Sequence, residues 1–273
     1  MTHSVLFFDS GVGGLSVLEQ VHRRCSPFNL RYVMDDAAFP YGTKTDEALS
    51  QRVLQVCQQA VQQFSPDLLV IACNTASTLT LPLLRQCLTI PVIGVVPAIK
   101  PAAQQTLSGH IGLLATPATV ERLYIEDLIQ DFAGHCTVSR LGSRELVEWA
   151  EQLLRDGIIN PALRSHLQPW FDSNPQMSHV VLGCTHFPLL KPHLETLWPH
   201  IHWIDSGEAI ARRVSELMPA CHNSSAGTLA LHWTSTASEQ PGAERFLRRL
   251  GSLTECHSMV LEQPIVIQEE NIV

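Results

Sequence analysis

Short, wholly apolar runs recur along this chain, and each is followed by a turn and an amphipathic stretch. The two most alike are Leu69-Val-Ile-Ala-Cys73-Asn-Thr-Ala and Val180-Val-Leu-Gly-Cys184-Thr-His-Phe. Runs of this kind read as buried parallel strands entering helices. The spacing predicts further strands at Val5–Phe8, Leu30–Met34, Val92–Val96, His110–Ala115, Cys136–Arg140, His202–Ile204 and Thr228–Trp233. Between them it predicts helices at Leu15–Arg24, Asp46–Phe64, Ser77–Cys87, Ala118–Phe132, Arg144–Arg155, Ala162–Asp172, Pro188–Leu197, Glu208–Met218 and Ala243–Leu250. Pro82 is expected to kink its helix. Pro97 and Pro101 punctuate the chain before a new alternation begins. The polar stretch Asp35–Lys44 is too long for a tight connection, and such loops in compact domains are often functional.

The alternation contains a faint repeat. Ser65-Pro-Asp-Leu-Leu-Val-Ile-Ala-Cys73 resembles Met177-Ser-His-Val-Val-Leu-Gly-Cys184, and Asp9-Ser10-Gly11 resembles Asp205-Ser206-Gly207. The expected fold is therefore α/β: two similar lobes, each a mainly parallel sheet flanked by helices, with one cysteine on each side of a shared cleft. Ligands of open α/β sheets bind at the carboxyl ends of the strands, where both thiols would lie. A nearby helix N-terminus favours the thiolate and is expected to lower each thiol's pKa. A matched pair suits a reaction in which one thiol removes a proton and the other delivers one.

Composition narrows the alternatives. A formal charge of −8 and a pI near 5.9 leave no basic footprint for nucleic acid. No apolar run approaches the length of a membrane span. Met-Thr-His-Ser leads straight into Val5-Leu-Phe-Phe8, which reads as the first strand and not as a signal peptide. The eight cysteines show no C-x-x-C spacing, so zinc ribbons and thioredoxin-type pairs lose support. A reducing cytoplasm is the expected compartment.

Phe8-Asp9-Ser10-Gly11-Val12-Gly13-Gly14-Leu15, Pro40-Tyr41-Gly42, Cys73-Asn74-Thr75-Ala76 and Gly183-Cys184-Thr185-His186 occur in this order over nearly the whole chain. Together they resemble the glutamate racemases, of the cofactor-independent aspartate/glutamate racemase superfamily. The resemblance implies a cleft between two pseudo-symmetric lobes, the first completed by the C-terminal part. That gives residues 1–97 with 207–273 for the Cys73 lobe, and 98–206 for the Cys184 lobe. It implies interconversion of L- and D-glutamate with no cofactor and no metal, supplying D-glutamate for peptidoglycan in a bacterial cytoplasm. Carried over by residue, Cys73 and Cys184 are the acid/base thiols, assisted by Asp9 and His186. Asp9, Ser10, Tyr41, Gly42, Asn74, Thr75, Thr185 and His186 hold the substrate. A further family motif appears as Ala115-Thr116-Pro-Ala-Thr119, with alanine where the family has glycine, and adds Thr116 and Thr119 to the substrate set. Some members of that family carry an N-terminal extension and depend on a peptidoglycan-precursor activator. No such extension precedes the first strand here, so activation stays open, as does a homodimer.

The residue types suit this chemistry. Removing an α-proton from one face and returning one to the other requires groups on opposite walls. A free thiol's pKa of about 8.5 keeps both protonation states within reach. Without a Schiff base to drain the carbanion, desolvation and preorganised donors must lower the barrier. Each assignment has a structural alternative. For Cys73 and Cys184 it is a small buried hydrophobe, for Asp9 a turn or cap, and for His186 a helix-start histidine. The loop Gly11-Val-Gly-Gly14 fits neither the dinucleotide nor the P-loop pattern and reads as close backbone approach to a small anion. The motifs contain no arginine or lysine, so neutral donors are expected to hold both substrate carboxylates. Other readings are a superfamily racemase for aspartate or a hydantoin, a two-lobed binding module without chemistry, and a zinc site at Cys73, Cys184 and His186.

Overall fold

The computed structural model describes residues 2–25, 27–219, 226–237 and 239–261. Cys221 and residues 262–273 of the expected first lobe lie outside the described residues. Strands and helices alternate in chain order: β1 (Ser4–Asp9), α1 (Leu15–Cys25), β2 (Asn29–Met34), α2 (Asp46–Phe64), β3 (Leu68–Ile71), α3 (Asn74–Cys87), β4 (Val92–Gly94) and α4 (Ile99–Gln105). Then come β5 (His110–Ala115), α5 (Pro117–Val120), α6 (Leu123–Ala133), β6 (Thr137–Gly142), α7 (Glu145–Asp156), α8 (Leu163–Asp172), β7 (His179–Leu182), α9 (Phe187–Leu197) and β8 (His202–Ile204). The last elements among the described residues are α10 (Gly207–Leu217), β9 (Leu229–Trp233), α11 (Pro241–Leu250) and β10 (Leu253–Ser258). Single 3-10 turns at Asp36–Ala38 and Tyr41–Thr43 shape the loop between β2 and α2.

Two parallel sheets result. One has the order β10-β9-β2-β1-β3-β4, the other β6-β5-β7-β8. The arrangement β2-β1-β3-β4 is therefore repeated as β6-β5-β7-β8. Register brings the functional ends level: Phe8 pairs with Ile71, and Leu114 with Leu182. The amide of Ala72 donates to Phe8 O at 2.7 Å, and that of Gly183 to Leu114 O at 2.8 Å. The residue before each cysteine is thus pinned by an equivalent bond. The Cys73/Cys184 likeness seen in the sequence is a true structural repeat. The Asp9/Asp205 likeness is not, because Asp9 ends β1 whereas Asp205 follows β8, whose counterpart is β4.

Strand side chains alternate between two buried faces, which is why the strands read as continuous apolar runs. In the first sheet Val5, Phe7, Tyr32 and Val70 pack beneath α1 and α10, while Leu6, Phe8, Val33 and Ile71 pack against α2 and α3. In the second, Ile111, Leu113 and Val181 meet α4 and α6, while Leu114, Val180 and Leu182 meet α7 to α9. Each such side chain, fully buried, contributes roughly 1.5–3 kcal/mol.

Several elements differ from the sequence reading. The stretch punctuated by Pro97 and Pro101 forms α4: Pro101 falls in its first turn, where an amide has no helical partner to lose. The single helix expected at Ala118–Phe132 is two, α5 and α6, separated at Glu121–Arg122. α3 begins at Asn74, directly after the cysteine. β10 was not expected, because Leu253-Thr-Glu-Cys-His-Ser lacks the apolar run of a buried strand and lies at the sheet edge with most side chains exposed.

Candidate active site

One cavity of about 230 Å³ receives the strand ends of both sheets. β1 delivers Asp9 and Ser10, β3 delivers Cys73, Asn74 and Thr75, and β7 delivers Cys184, Thr185 and His186. Thr116 and Thr119 come from the turn of α5, and Tyr41 and Gly42 from the loop between β2 and α2. The structure thus brings together every site residue the sequence pointed to.

Cys73 immediately precedes α3 with extended backbone, and its sulfur lies 4.0 Å from Ser10 Oγ. Asp9 beside it is fully buried. Ser10 N and Gly14 N donate to its two oxygens at 2.6 and 2.5 Å, and Thr185 Oγ1 donates to it at 3.2 Å across the cleft. Burial raises the Asp9 carboxyl above its usual range, against the pull of the His186 charge, the Cys73 thiol and the two amides. Burial and then the Asp9 charge push the Cys73 thiol well above its usual range. The lowering expected from the helix N-terminus is outweighed. The Ala76 amide does favour the thiolate, but desolvation of a buried sulfur is the larger effect.

Cys184 stands farther from its helix, two residues before the N-cap His186 of α9. His186 Nδ1 lies 3.7 Å from Cys184 Sγ, and Nε2 lies 2.7 Å from Glu151 Oε1. Burial pulls this imidazole down, but hydrogen bonds to Cys184 and Glu151, and their charges, carry it well above the usual histidine range. The protonated imidazole is thereby favoured, and in that form it donates one N–H to the sulfur and the other to the carboxylate.

Glu151, on α7, is the residue sequence reasoning missed. Its Oε1 also accepts from Val12 N at 3.0 Å, tying the glycine loop of the first half to the histidine of the second. A signal was present: Val147 and Ala150 mark the buried face of α7, and Glu151 lies on it, one turn after Val147. The glycine loop also needs correcting. Its amides at Ser10, Val12 and Gly14 are taken by Asp9 and Glu151, so the anions it approaches are the chain's own carboxylates. Gly13 is required by close packing: a Cβ there would come within 2.7 Å of His186 N and Thr185 Oγ1.

The remaining donors face the cavity in different ways. Asn74 Oδ1 is buried and has no partner among the described residues, which leaves an acceptor for an ammonium. Thr116 caps α5 by accepting from Thr119 N at 3.3 Å, and Thr119 Oγ1 lies 3.5 Å from Thr75 Oγ1, linking the two halves. Tyr41 is buried and its phenol donates to Asp35 at 2.6 Å, so its ring and backbone are what it presents to the cavity. A cation absent from the motifs, Arg144, lines the exposed mouth beside Glu148 at the start of α7.

Among the described residues, His232, Glu255 and His257 come close enough together to hold a metal ion. Arg31 occupies that group instead, donating to Glu255 at 2.6 and 3.0 Å and meeting His232 Nε2. Burial, with the Arg31 charge, holds the His232 imidazole down to about 4.

The family model described as Asp/Glu/Hydantoin racemase matches residues 13–214, well over half of the chain. A glutamate racemase from Pasteurella multocida (strain Pm70) is 49% identical over 217 residues, 79% of this chain and 80% of the relative. One from Histophilus somni (strain 129Pt) is 46% identical over 217 residues, 79% and 81% of the two chains. Among solved structures, Escherichia coli glutamate racemase in complex with L-glutamate and the activator UDP-MurNAc-Ala matches with a TM-score of 0.87. Identity is 40% over 96% of this chain and 100% of that one.

Proposed function

The chain belongs to the Asp/Glu/Hydantoin racemase family, and we propose that it is a glutamate racemase that interconverts L- and D-glutamate without a cofactor, through two cysteines. The pairing of one strand-end thiol from each sheet in a single cavity carries this reading. In the L-to-D direction, the Cys184 thiolate takes the α-proton: the Cα–H bond breaks, an S–H bond forms, and the electron pair moves into the α-carboxylate. The Cys73 thiol then breaks its S–H bond and returns a proton to the opposite face. No net oxidation occurs, and the reverse direction exchanges the two roles. Asp9 faces the Cys73 proton, and the His186 cation faces the Cys184 sulfur. Asn74, Thr75, Thr116, Thr119, Thr185 and Ser10 supply neutral polar groups to the carboxylates and the ammonium.

The product D-glutamate serves peptidoglycan synthesis in a bacterial cytoplasm. Among the described residues no helix is long and apolar enough to cross a membrane. The lobes divide at 1–97 with 207–273 and at 98–206; β9 and β10 pairing beside β2, and α10 packing beneath α1, support this division. The reading includes a homodimer, checked by sedimentation. It also includes activation by a precursor of the UDP-MurNAc-Ala type, checked by adding that compound to the assay.

Purified protein given L- or D-glutamate, with nothing else added, should drive either enantiomer to the racemate, followed by polarimetry. Aspartate, one methylene shorter, should be slower by about 10–200-fold. Dialysis against a chelator and addition of pyridoxal phosphate should each leave the rate unchanged. A strict requirement for metal or pyridoxal phosphate overturns the mechanism.

A further inference from the structure

Asp35 is a fully buried carboxylate outside the cavity lining, and its side chain accepts four hydrogen bonds from three residues. Arg52 Nη2 and Thr234 Oγ1 donate to Oδ1, each at 2.6 Å. Arg52 Nε and the Tyr41 phenol donate to Oδ2 at 2.9 and 2.6 Å. Burying a charge this completely is costly unless every lone pair is met, and here four donors meet it. The donors come from three parts of the chain: α2, the cavity loop and the end of β9. Asp36 repeats the tie to the segment after β9, accepting from Thr234 N at 3.1 Å, Ser235 N at 2.9 Å, Ser235 Oγ at 2.6 Å and Gln240 Nε2 at 2.6 Å.

The cluster ends at the cavity wall. Tyr41 packs its ring toward Phe8, at 6.3 Å between centroids, in the same buried group as Cys73. Gly42, next in the chain, faces the other half: a Cβ placed there would sit 4.0 Å from the Thr116 side chain. The Tyr41–Gly42 turn therefore lies between the first thiol and the threonine cap of the second sheet. We propose that Asp35 is a positioning residue for this wall, and that Arg52 and Thr234 fix it, so that the end of strand β9 sets how the substrate seats against Cys73. This rests on the racemase reading for its kinetic readout. The geometric claim, that the cluster holds the wall over Cys73, has a readout of its own.

Thr234→Val keeps the shape of the side chain and removes the hydroxyl that donates to Asp35 and accepts from Ala37 N at 3.3 Å; Thr234→Ser restores it. Thr234→Val should raise KM for both enantiomers about tenfold, as loss of one hydrogen bond to a charged group would, with a smaller change in kcat. Thr234→Ser should stay within about twofold on the same scale. Arg52→Lys, which cannot reproduce the two-pronged contact, should raise KM as well. Combining Thr234→Val with Tyr41→Phe should cost less than the sum of the separate losses, because both act through Asp35. Leu217→Ala in α10, which loosens the first core on a face away from the cavity, should lower the melting temperature without moving KM. Iodoacetamide labelling, followed peptide by peptide, should be faster at Cys73 in Thr234→Val and unchanged at Cys184. This measurement needs no turnover, so it still decides the proposal if the wild type fails to racemise glutamate. Wild-type KM and wild-type Cys73 labelling in Thr234→Val would overturn the proposal. So would an equal KM rise in Leu217→Ala.

Discussion

Cys73 and Cys184 end equivalent strands in sheets of the same order, yet opposite charges stand beside them. Cys73 neighbours the buried carboxylate of Asp9, and Cys184 neighbours the imidazolium of His186, itself paired with Glu151. The backbone repeat fixes where each sulfur sits; the side chains around it decide where the protons rest. Burial and the Asp9 charge favour the protonated form of Cys73, and hydrogen bonds to Cys184 and Glu151 favour the protonated form of His186. A proton held on Cys73 is one that the proposed mechanism can give to the substrate. The reverse direction must first move a proton off Cys73, against burial and the Asp9 charge. The enantiomers have equal free energy, so kcat/KM must be the same in both directions at every pH. The asymmetry is free to appear in kcat and KM separately, where the two changes compensate.

The largest effect tests whether both halves are needed. Cys73→Ala and Cys184→Ala should each reduce racemisation by at least about 10²–10⁴-fold, with the fold intact by circular dichroism. In deuterated water the wild type should place deuterium mainly in the product enantiomer. Rapid labelling of unreacted substrate from both sides would replace the two-wall scheme with a single exchanging base.

Next come the unequal neighbours. Asp9→Asn and His186→Asn should each lose at least roughly tenfold in kcat, as removal of a general acid–base assistant does. They should differ in pH dependence. The Asp9 charge raises the Cys73 thiol, so Asp9→Asn lowers it and should move the alkaline limb of kcat/KM to lower pH, equally for both enantiomers. An unmoved limb would show that burial alone holds the thiol up.

Much of this was readable from sequence, and the unread part has a common cause. Buried strands announce themselves as apolar runs, so both sheets and both thiols were placed, and the ordered motifs located the cavity lining. What failed were features fixed by distant partners. Glu151 gains its role from Val12 and His186, on other elements. The glycine loop looked like an anion cradle because its amides do meet anions, but Asp9 and Glu151 supply them from within the chain. The helix-start argument for Cys73 was correct in sign and too small, since a helix end is typically worth about 0.3–1 kcal/mol near the surface and this sulfur is buried. β10 was missed because an edge strand need not be apolar.

A moderate effect isolates the Cys184 half. Glu151→Gln keeps an oxygen for Val12 N and for His186 and removes only the charge. Activity should fall by about three- to tenfold, the net scale of one weakened hydrogen bond. Stability should respond as well. The folded pKa of His186 is raised, so its contribution is fully present below the unfolded value of about 6.5 and is lost as pH rises through the folded value. Urea midpoints of the wild type should therefore decline above about pH 6.5, and Glu151→Gln should flatten that decline. A slope unchanged in the variant would assign the decline to another group.

The smallest effect concerns a link that favours neither half. Arg122, between α5 and α6, donates to Asp46 at the start of α2 at 2.9 and 3.3 Å, joining the second sheet's helices to the first's. The Asp46 side chain is 66% exposed, so solvent screens most of the attraction and the pair should contribute about 0–1 kcal/mol. Asp46→Asn should therefore shift KM by less than about threefold, and added salt should erase most of the difference. Because the pair touches neither thiol, the shift should be the same for L- and D-glutamate, in kcat as well as in KM. A change in kcat for one enantiomer alone, offset in its KM, would mean that this contact reaches the protons, and the two halves would then differ by more than their buried charges.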